Sequence, residues 1–371
     1  MSKTVFDPVE LGGLLLKNRV AMAPMTRARS PRNVPNEETA RYYAQRAGAG
    51  LVITEGTVVS AEGSGFVDCP GLWSREQVAA WQPVTRAVHD QGAAIFAQIW
   101  HVGRVSHTSL QPGGAAPVSS TARRAENSSA FGIGPDGAPG FVAASKPVAL
   151  DAAGIARVVR DFADAAENAV EAGFDGVEIH GANGYLIEQF LNGAVNDRRD
   201  AYGSQTVENR IRFALEVVDA CAARIGVARV GIRPSPFGRL HDLGDFDGEE
   251  ETFLALAAAL GARGVRFIHI MDQASRGAPA MPADFLAKFR AAYDGVLILA
   301  GGMNRRKSDA MIAEGLIDIA AFGAPFTSNP DLVERMRHGW PLRAPESGTF
   351  YGGDARGYTD WATFSPREVD A

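Results

Sequence analysis

Eight short apolar runs, rich in β-branched residues, recur along the chain, and segments of helical spacing lie between them. The runs are RVAMAPM (19–25), LVITEGT (51–57), AAIFAQIW (93–100) and GVEIH (176–180), then RVGIR (229–233), FIHI (267–270), VLILAGG (296–302) and DIAAFG (318–323). Such runs, each followed by a helix, are the pattern of repeated βα units around a parallel sheet. In the tract IARVVRDFADAAENAVEA, residues Ile155, Val158, Val159, Phe162, Ala165, Ala166 and Ala169 fall on one helical face. Eight strands in this alternation predict a (β/α)8 TIM barrel. An open dinucleotide-binding sheet would carry GxGxxG after its first strand, and no such motif stands there.

The chain of 371 residues is longer than a minimal barrel, and the surplus has a place. Residues 103–150, rich in Gly, Pro, Ser and Ala and without helical period, form an insertion after the third strand, expected to be a lid or capping segment. Residues 1–18 and 339–371 flank the barrel, and the whole of 1–371 is expected to be a single domain. A net charge of −6 and a pI near 5.7 argue against a nucleic-acid or anionic-membrane surface. No apolar run has membrane-spanning length, and the first residues lack a signal peptide's apolar centre, so a cytoplasmic protein is expected. The two cysteines, Cys69 and Cys221, are too isolated for a disulfide framework or an iron–sulfur site.

Barrel chemistry gathers where the strands end, so the polar residues there are the candidates. They are Thr26 and Arg27, Glu55 and Thr57, Gln98 with Trp100 and His101, His180 with Asn183 and Tyr185, Arg233, His269, and the Gly301–Gly302 turn. A single strand-end Gln or Thr commonly caps a helix; a full ring of polar ends is harder to assign to capping. His101, His180 and His269 come from different strands with few carboxylates beside them, which disfavours a metal. All five lysines lie off the strand ends, which disfavours Schiff-base chemistry; of the two carboxylates a glycosidase would want, Glu55 and Glu178 are available, but Glu178 precedes His180 by two and points the same way. Neutral hydrogen-bond donors, one arginine, aromatic walls and two glycine-rich turns ahead of helices are left. That set suits a phosphorylated cofactor with a planar head, and spacing alone goes no further.

The motifs NRVAMAPMTRARS, QIWHVGRVSH, HGANGYLIEQFLN, NDRRDAYG, ENRIRF, AFGAPFTSNPDLVER and FYGGDARGYTDW together resemble the Old Yellow Enzyme family, of the N-ethylmaleimide reductase-like kind, from residue 18 to residue 361. The resemblance implies an FMN-dependent ene-reductase that takes electrons from NADPH or NADH and reduces activated alkenes, with nitro compounds or nitrate esters as further acceptors. It implies that Pro24, Met25 and Thr26 lie against the flavin, that Gly56 lets the second strand approach it, and that Gln98 and Arg233 bond its pyrimidine edge. Gly301, Gly302, Gly323 and Ala324 would hold the phosphate through backbone amides. His180 and Asn183 would hold the substrate oxygen, Tyr185 would supply the proton, and Phe66, Trp100 and Tyr351 would form apolar walls. The resemblance supplies no role for His269, which is expected to be structural. Ala324 stands where many members have an arginine, and Phe66 where a tyrosine is frequent, so cofactor affinity and substrate scope are the properties in question. The expected partners are small molecules, with no nucleic acid and no membrane, and the expected state is a monomer or homodimer.

Overall fold

The structure, a computed structural model, describes residues 3–365. The eight runs become eight barrel strands: β1 Val20–Met22, β2 Leu51–Ile53, β3 Ala94–Trp100, β4 Gly176–Gly181, β5 Val230–Pro234, β6 Phe267–Met271, β7 Val296–Ala300 and β8 Ile319–Phe322. All neighbouring pairs are parallel, in chain order. The register Ala320↔Val20 joins β8 back to β1 and closes the barrel. Closure removes the exposed sheet edge, and burial on both faces explains the near-continuous apolar runs.

The helices are α1 Glu37–Arg46, α2 Arg75–His89, α3 Ala152–Glu171, α4 Leu186–Leu191, α5 Val207–Ile225, α6 Glu249–Ala262, α7 Phe285–Ala292, α8 Arg305–Ala313, α9 Ala324–Ser328 and α10 Leu332–His338. Several start where the sequence supplies an N-cap. The side chains of Asn36, Ser74, Asp151, Thr206 and Asn304 each accept from a backbone N–H three residues on. On α3 the expected face is buried except Val159, which is half-buried against the same core. Each large apolar side chain on that face contributes roughly 1.5–3 kcal/mol through burial, and an unpaired charge at Phe162 would undo the packing of α3 on the barrel.

Chain outside the βα repeats packs at both ends of the barrel. At the N-terminal end, an antiparallel hairpin pairs Val9–Leu11 with Leu14–Leu16. Its Val9, Leu11 and Leu16 share a buried cluster with the barrel-interior residues Phe96, Phe267 and Ile298. Residues 103–150 extend from the opposite end. They contain a hairpin, Ser129–Ile133 with Pro139–Ala143, and a short parallel pair, Val118–Ser119 with Val148–Ala149. The hairpin docks on the loop after β2, where the Phe131 N–H donates to the Gly65 carbonyl and the Val67 N–H to the Phe131 carbonyl.

Candidate active site

Strand register brings the polar ends together. Glu178 on β4 lies level with Gln98 on β3, and His180 lies level with Arg233 on β5. The fully buried Glu178 carboxylate accepts from Gln98 Nε2 at 2.8 Å, and its other oxygen is 2.7 Å from His269 Nδ1. His269 is thus a structural anchor, as expected, within a buried layer beneath the mouth. With one N–H of its amide committed to Glu178, Gln98 keeps Oε1 free as an acceptor. Arg233 is 4% exposed; its Nη2 meets only the weak acceptor Met271 Sδ at 3.1 Å, and its Nε has no partner. Burial lowers its pKa to about 10, so it is still a cation at neutral pH. A buried guanidinium with unmet donors is costly unless something polar completes it.

Beyond β4 the chain makes a tight turn. The Ala182 N–H donates to His180 Nδ1 at 3.2 Å. Burial, reinforced by Arg233 and His269, drives the His180 pKa well below that of a free imidazole, so the ring is neutral. A neutral imidazole whose Nδ1 accepts must carry its proton on Nε2, so Nε2–H is a donor. Asn183 takes a left-handed backbone (φ 58°), which Asn tolerates better than most residues, and its N–H donates to Ser235 Oγ at 2.9 Å. Gly184 (φ 75°) follows, and a Cβ there would lie 2.6 Å from the Leu240 carbonyl oxygen. Glu188 on α4 secures the turn by accepting from the Gly184 N–H and the Ser235 hydroxyl, both at 2.6 Å. Its burial raises its pKa to about 8. Tyr185 packs edge-on against Trp100 and His180, each with ring centroids 5.0 Å away, and burial pushes its pKa up from the ordinary phenol value.

These groups face a cavity of about 650 Å³ at the C-terminal end of the barrel. Every residue to which the resemblance gives a role, except Gly56, lines it: Pro24, Met25, Thr26, Phe66, Gln98, Trp100, His180, Asn183, Tyr185, Arg233, Gly301, Gly302, Gly323, Ala324 and Tyr351. Of the other strand-end candidates Arg27 also lines it, and Glu55, Thr57, His101 and His269 do not. Gly56 lies behind the wall. A Cβ on it would fall within the Trp100 indole, so this glycine makes room for a side chain and not directly for a cofactor. Phe66 stacks on Trp100 (5.9 Å) and lies 5.7 Å from Tyr351, which in turn packs edge-on against Phe141 of the inserted hairpin at 5.8 Å. After Thr26 the chain is held by Glu55, which accepts from the Arg27 and Ala28 N–H groups at 2.9 and 3.0 Å. The Arg27 guanidinium turns away from the mouth to the carbonyls of Thr349, Phe350 and Gly357, and so fixes the segment that carries Tyr351.

The cavity runs from this aromatic wall to the turns after β7 and β8. Gly301 and Gly302 have left-handed φ values of 114° and 57°, and a Cβ on Gly301 would collide with the Asp272 carbonyl. The unmet Arg233 donor, the free Gln98 acceptor, the apolar wall and the glycine turns fit a flavin with a phosphate tail. Among the described residues no group of three or more His, Cys, Asp or Glu is placed to hold a metal ion. Several lining or supporting residues were not among the expected site residues, and of these only Glu188 lies in a quoted motif, HGANGYLIEQFLN. Ser235, Glu188, Leu240, His241, Gln273 and Arg276 sit in or behind the turns after β4, β5 and β6.

The sequence signature described as "NADH:flavin oxidoreductase / NADH oxidase family" matches residues 4–343. The chain is 43% identical over 361 residues to 12-oxophytodienoate reductase 1 of Oryza sativa subsp. japonica, covering 96% of this chain and 92% of that protein. It is 41% identical over 365 residues to 12-oxophytodienoate reductase 2 of Arabidopsis thaliana, covering 97% and 96%. Among solved structures, morphinone reductase superposes with a TM-score of 0.96 at 43% identity over 99% of this chain and 98% of that one. An old yellow enzyme homologue from Zymomonas mobilis superposes at 0.92 with 37% identity, covering 98% of this chain and 100% of that one.

Proposed function

The chain belongs to the NADH:flavin oxidoreductase / NADH oxidase family, the Old Yellow Enzyme family, and from that premise we infer how its residues carry out FMN-dependent ene reduction. When bound, FMN would supply hydride transfer from a nicotinamide to the β-carbon of an activated C=C bond. Thr26, Gln98 and Arg233 would hold its ring, with Pro24 and Met25 beside it. The backbone of Gly301, Gly302, Gly323 and Ala324 would take its phosphate. Arg233, buried and charged, would stabilise negative charge on a ring held beside it.

His180 Nε2–H and the Asn183 amide together bind the substrate oxygen. Both are neutral donors in place before substrate arrives: one has its proton placed by its tautomer, and the other stands on a left-handed turn. As the β-carbon gains hydride, negative charge moves onto that oxygen, and preorganised donors bind it more tightly than the starting carbonyl. Tyr185, beside His180, keeps its proton through the neutral range because burial raises its pKa, and it delivers that proton to the α-carbon. Phe66, Trp100, Phe141 and Tyr351 favour flat, apolar alkenes activated by one carbonyl or nitro group. The relatives named for 12-oxophytodienoate and morphinone support enones as the class.

The observation that carries this reading is the coincidence of two neutral N–H donors and one protonated phenol on a single wall of the cavity. Anaerobic stopped-flow tests it: reduce the enzyme with NADH or NADPH, then mix it with cyclohexenone. Rapid reoxidation with formation of cyclohexanone is expected; a flavin that stays reduced with every activated alkene offered refutes it. We further propose that the protein works in the cytoplasm on small molecules, as a monomer or homodimer. Among the described residues no helix is long and apolar enough to cross a membrane, and Cys69 and Cys221 are both free and buried.

A further inference from the structure

Asn183 can serve as a donor only if its amide is turned the right way, and the two ends of a carboxamide differ by a flip of the side chain. Its Oδ1 accepts from Gln273 Nε2 at 3.1 Å, and its Nδ2 has no partner among the described residues and is free for the cavity. What decides this orientation lies one residue further out. Gln273, in the turn after β6, is 2% exposed, and its Oε1 accepts two backbone N–H groups, from Arg239 at 2.9 Å and Leu240 at 3.2 Å. Both are backbone N–H groups, which can only donate, so the Gln273 amide cannot be reversed without setting N–H against N–H. Its Nε2 must then face Asn183, and Asn183 must present its oxygen to it. Space has been left for this arrangement: a Cβ on Gly238 would lie 2.7 Å from Gln273 Nε2.

We propose that Gln273 is a positioning residue that fixes the Asn183 carboxamide with its N–H2 group turned into the cavity. The inference rests on Asn183 as a substrate-oxygen donor. It adds that the turns after β4, β5 and β6 set this donor jointly, through one buried amide. Replacing Gln273 by Glu keeps an acceptor for Arg239 and Leu240 but removes the donor to Asn183. The new carboxylate attracts Asn183 Nδ2 instead, so the amide turns and offers its oxygen to the ligand.

The test uses the FMN-loaded enzyme and a phenolate probe, 4-hydroxybenzaldehyde, whose binding is read as a change in flavin absorbance. Asn183→Ala, Gln273→Glu, the double variant and Gln273→Met are titrated. Gln273→Glu is expected to weaken binding at least about tenfold, the effect of one misdirected hydrogen bond to a charged oxygen. In the Asn183→Ala background the same change is expected to have no further effect, which a general loosening of the 239–240 loop would not reproduce. Gln273→Met, uncharged and without the donor, is expected to weaken binding in the same direction and serves if the Glu variant does not fold. If Asn183→Ala weakens the probe but Gln273→Glu does not, or if the two effects multiply, the positioning role is refuted and Asn183 keeps its own. If Asn183→Ala leaves the probe unaffected, the donor reading of Asn183 fails and the positioning role fails with it.

Discussion

Tyr185→Phe isolates the proton step, because the change removes one oxygen and nothing else. The phenol oxygen has no hydrogen-bond partner among the described residues, and the ring is held by edge contacts to Trp100 and His180, both at 5.0 Å. Phenylalanine keeps those contacts, so thermal stability is expected to change by less than about 0.5 kcal/mol. A general acid typically contributes about 10²–10⁴ in rate, or roughly 3–5 kcal/mol of barrier. Reoxidation of the reduced enzyme by cyclohexenone should therefore slow by that factor. Reduction by NADH or NADPH delivers no proton to an alkene carbon and should stay within about twofold of wild type. Anaerobic stopped-flow on each half-reaction measures both quantities at 25 °C. An equal loss in the two halves would show that the phenol shapes the pocket and does not donate the proton.

Other substitutions probe separate parts of the site. Arg233→Leu removes the buried cation that lacks a strong protein acceptor, and FMN affinity should fall by about 10–100-fold, measured by cofactor retention on gel filtration. Gly56→Ala pushes a methyl into the Trp100 ring; it should cost about 1–3 kcal/mol in urea unfolding and raise the KM for enones more than that for NADH. Folded Glu188 holds its proton up to about pH 8, whereas an unfolded carboxyl releases it near pH 4.3. Wild-type stability should therefore carry a downward slope as pH rises between those values, and Glu188→Gln should remove it in urea melts at pH 5 and pH 8. Histidines act with the opposite sign. His241, buried and lowered to about 4, and His180, also lowered, stay neutral in the fold while the unfolded chain takes up protons near pH 6.5. Stability is thus lost as pH falls below about 6.5, and His241→Asn should flatten that loss in the same melts.

The barrel was legible because its strands are largely buried on both faces and so leave near-continuous apolar runs. The hairpin 129–143 was not, because its residues are half-exposed and include Gly132, Pro139 and Gly140, with little β-branched content. At the site, strand ends were the readable positions: Gln98, His180 and Arg233 sit where the register makes them neighbours. Glu178 could be seen to point inward with His180, but its bonds to Gln98 and His269 depend on two other strands. Gly56 was expected to make room for the flavin, and the three-dimensional packing shows its neighbour to be Trp100. Gln273 and Ser235 act through turns whose sequences carry no periodicity, so their roles follow from hydrogen-bond geometry alone.

The path of hydrogen through the reaction tests the account most directly. The enzyme is run with nicotinamide deuterated at C4 on the transferred position and with 2-methylcyclohexenone in ordinary water. The saturated ketone is expected to carry one deuterium at the β-carbon, and a parallel run in D2O with unlabelled nicotinamide is expected to place it at the α-carbon. A product with the label at neither carbon, or an allylic alcohol with the C=C bond intact, would contradict hydride transfer to an alkene held by His180 and Asn183 and protonated by Tyr185.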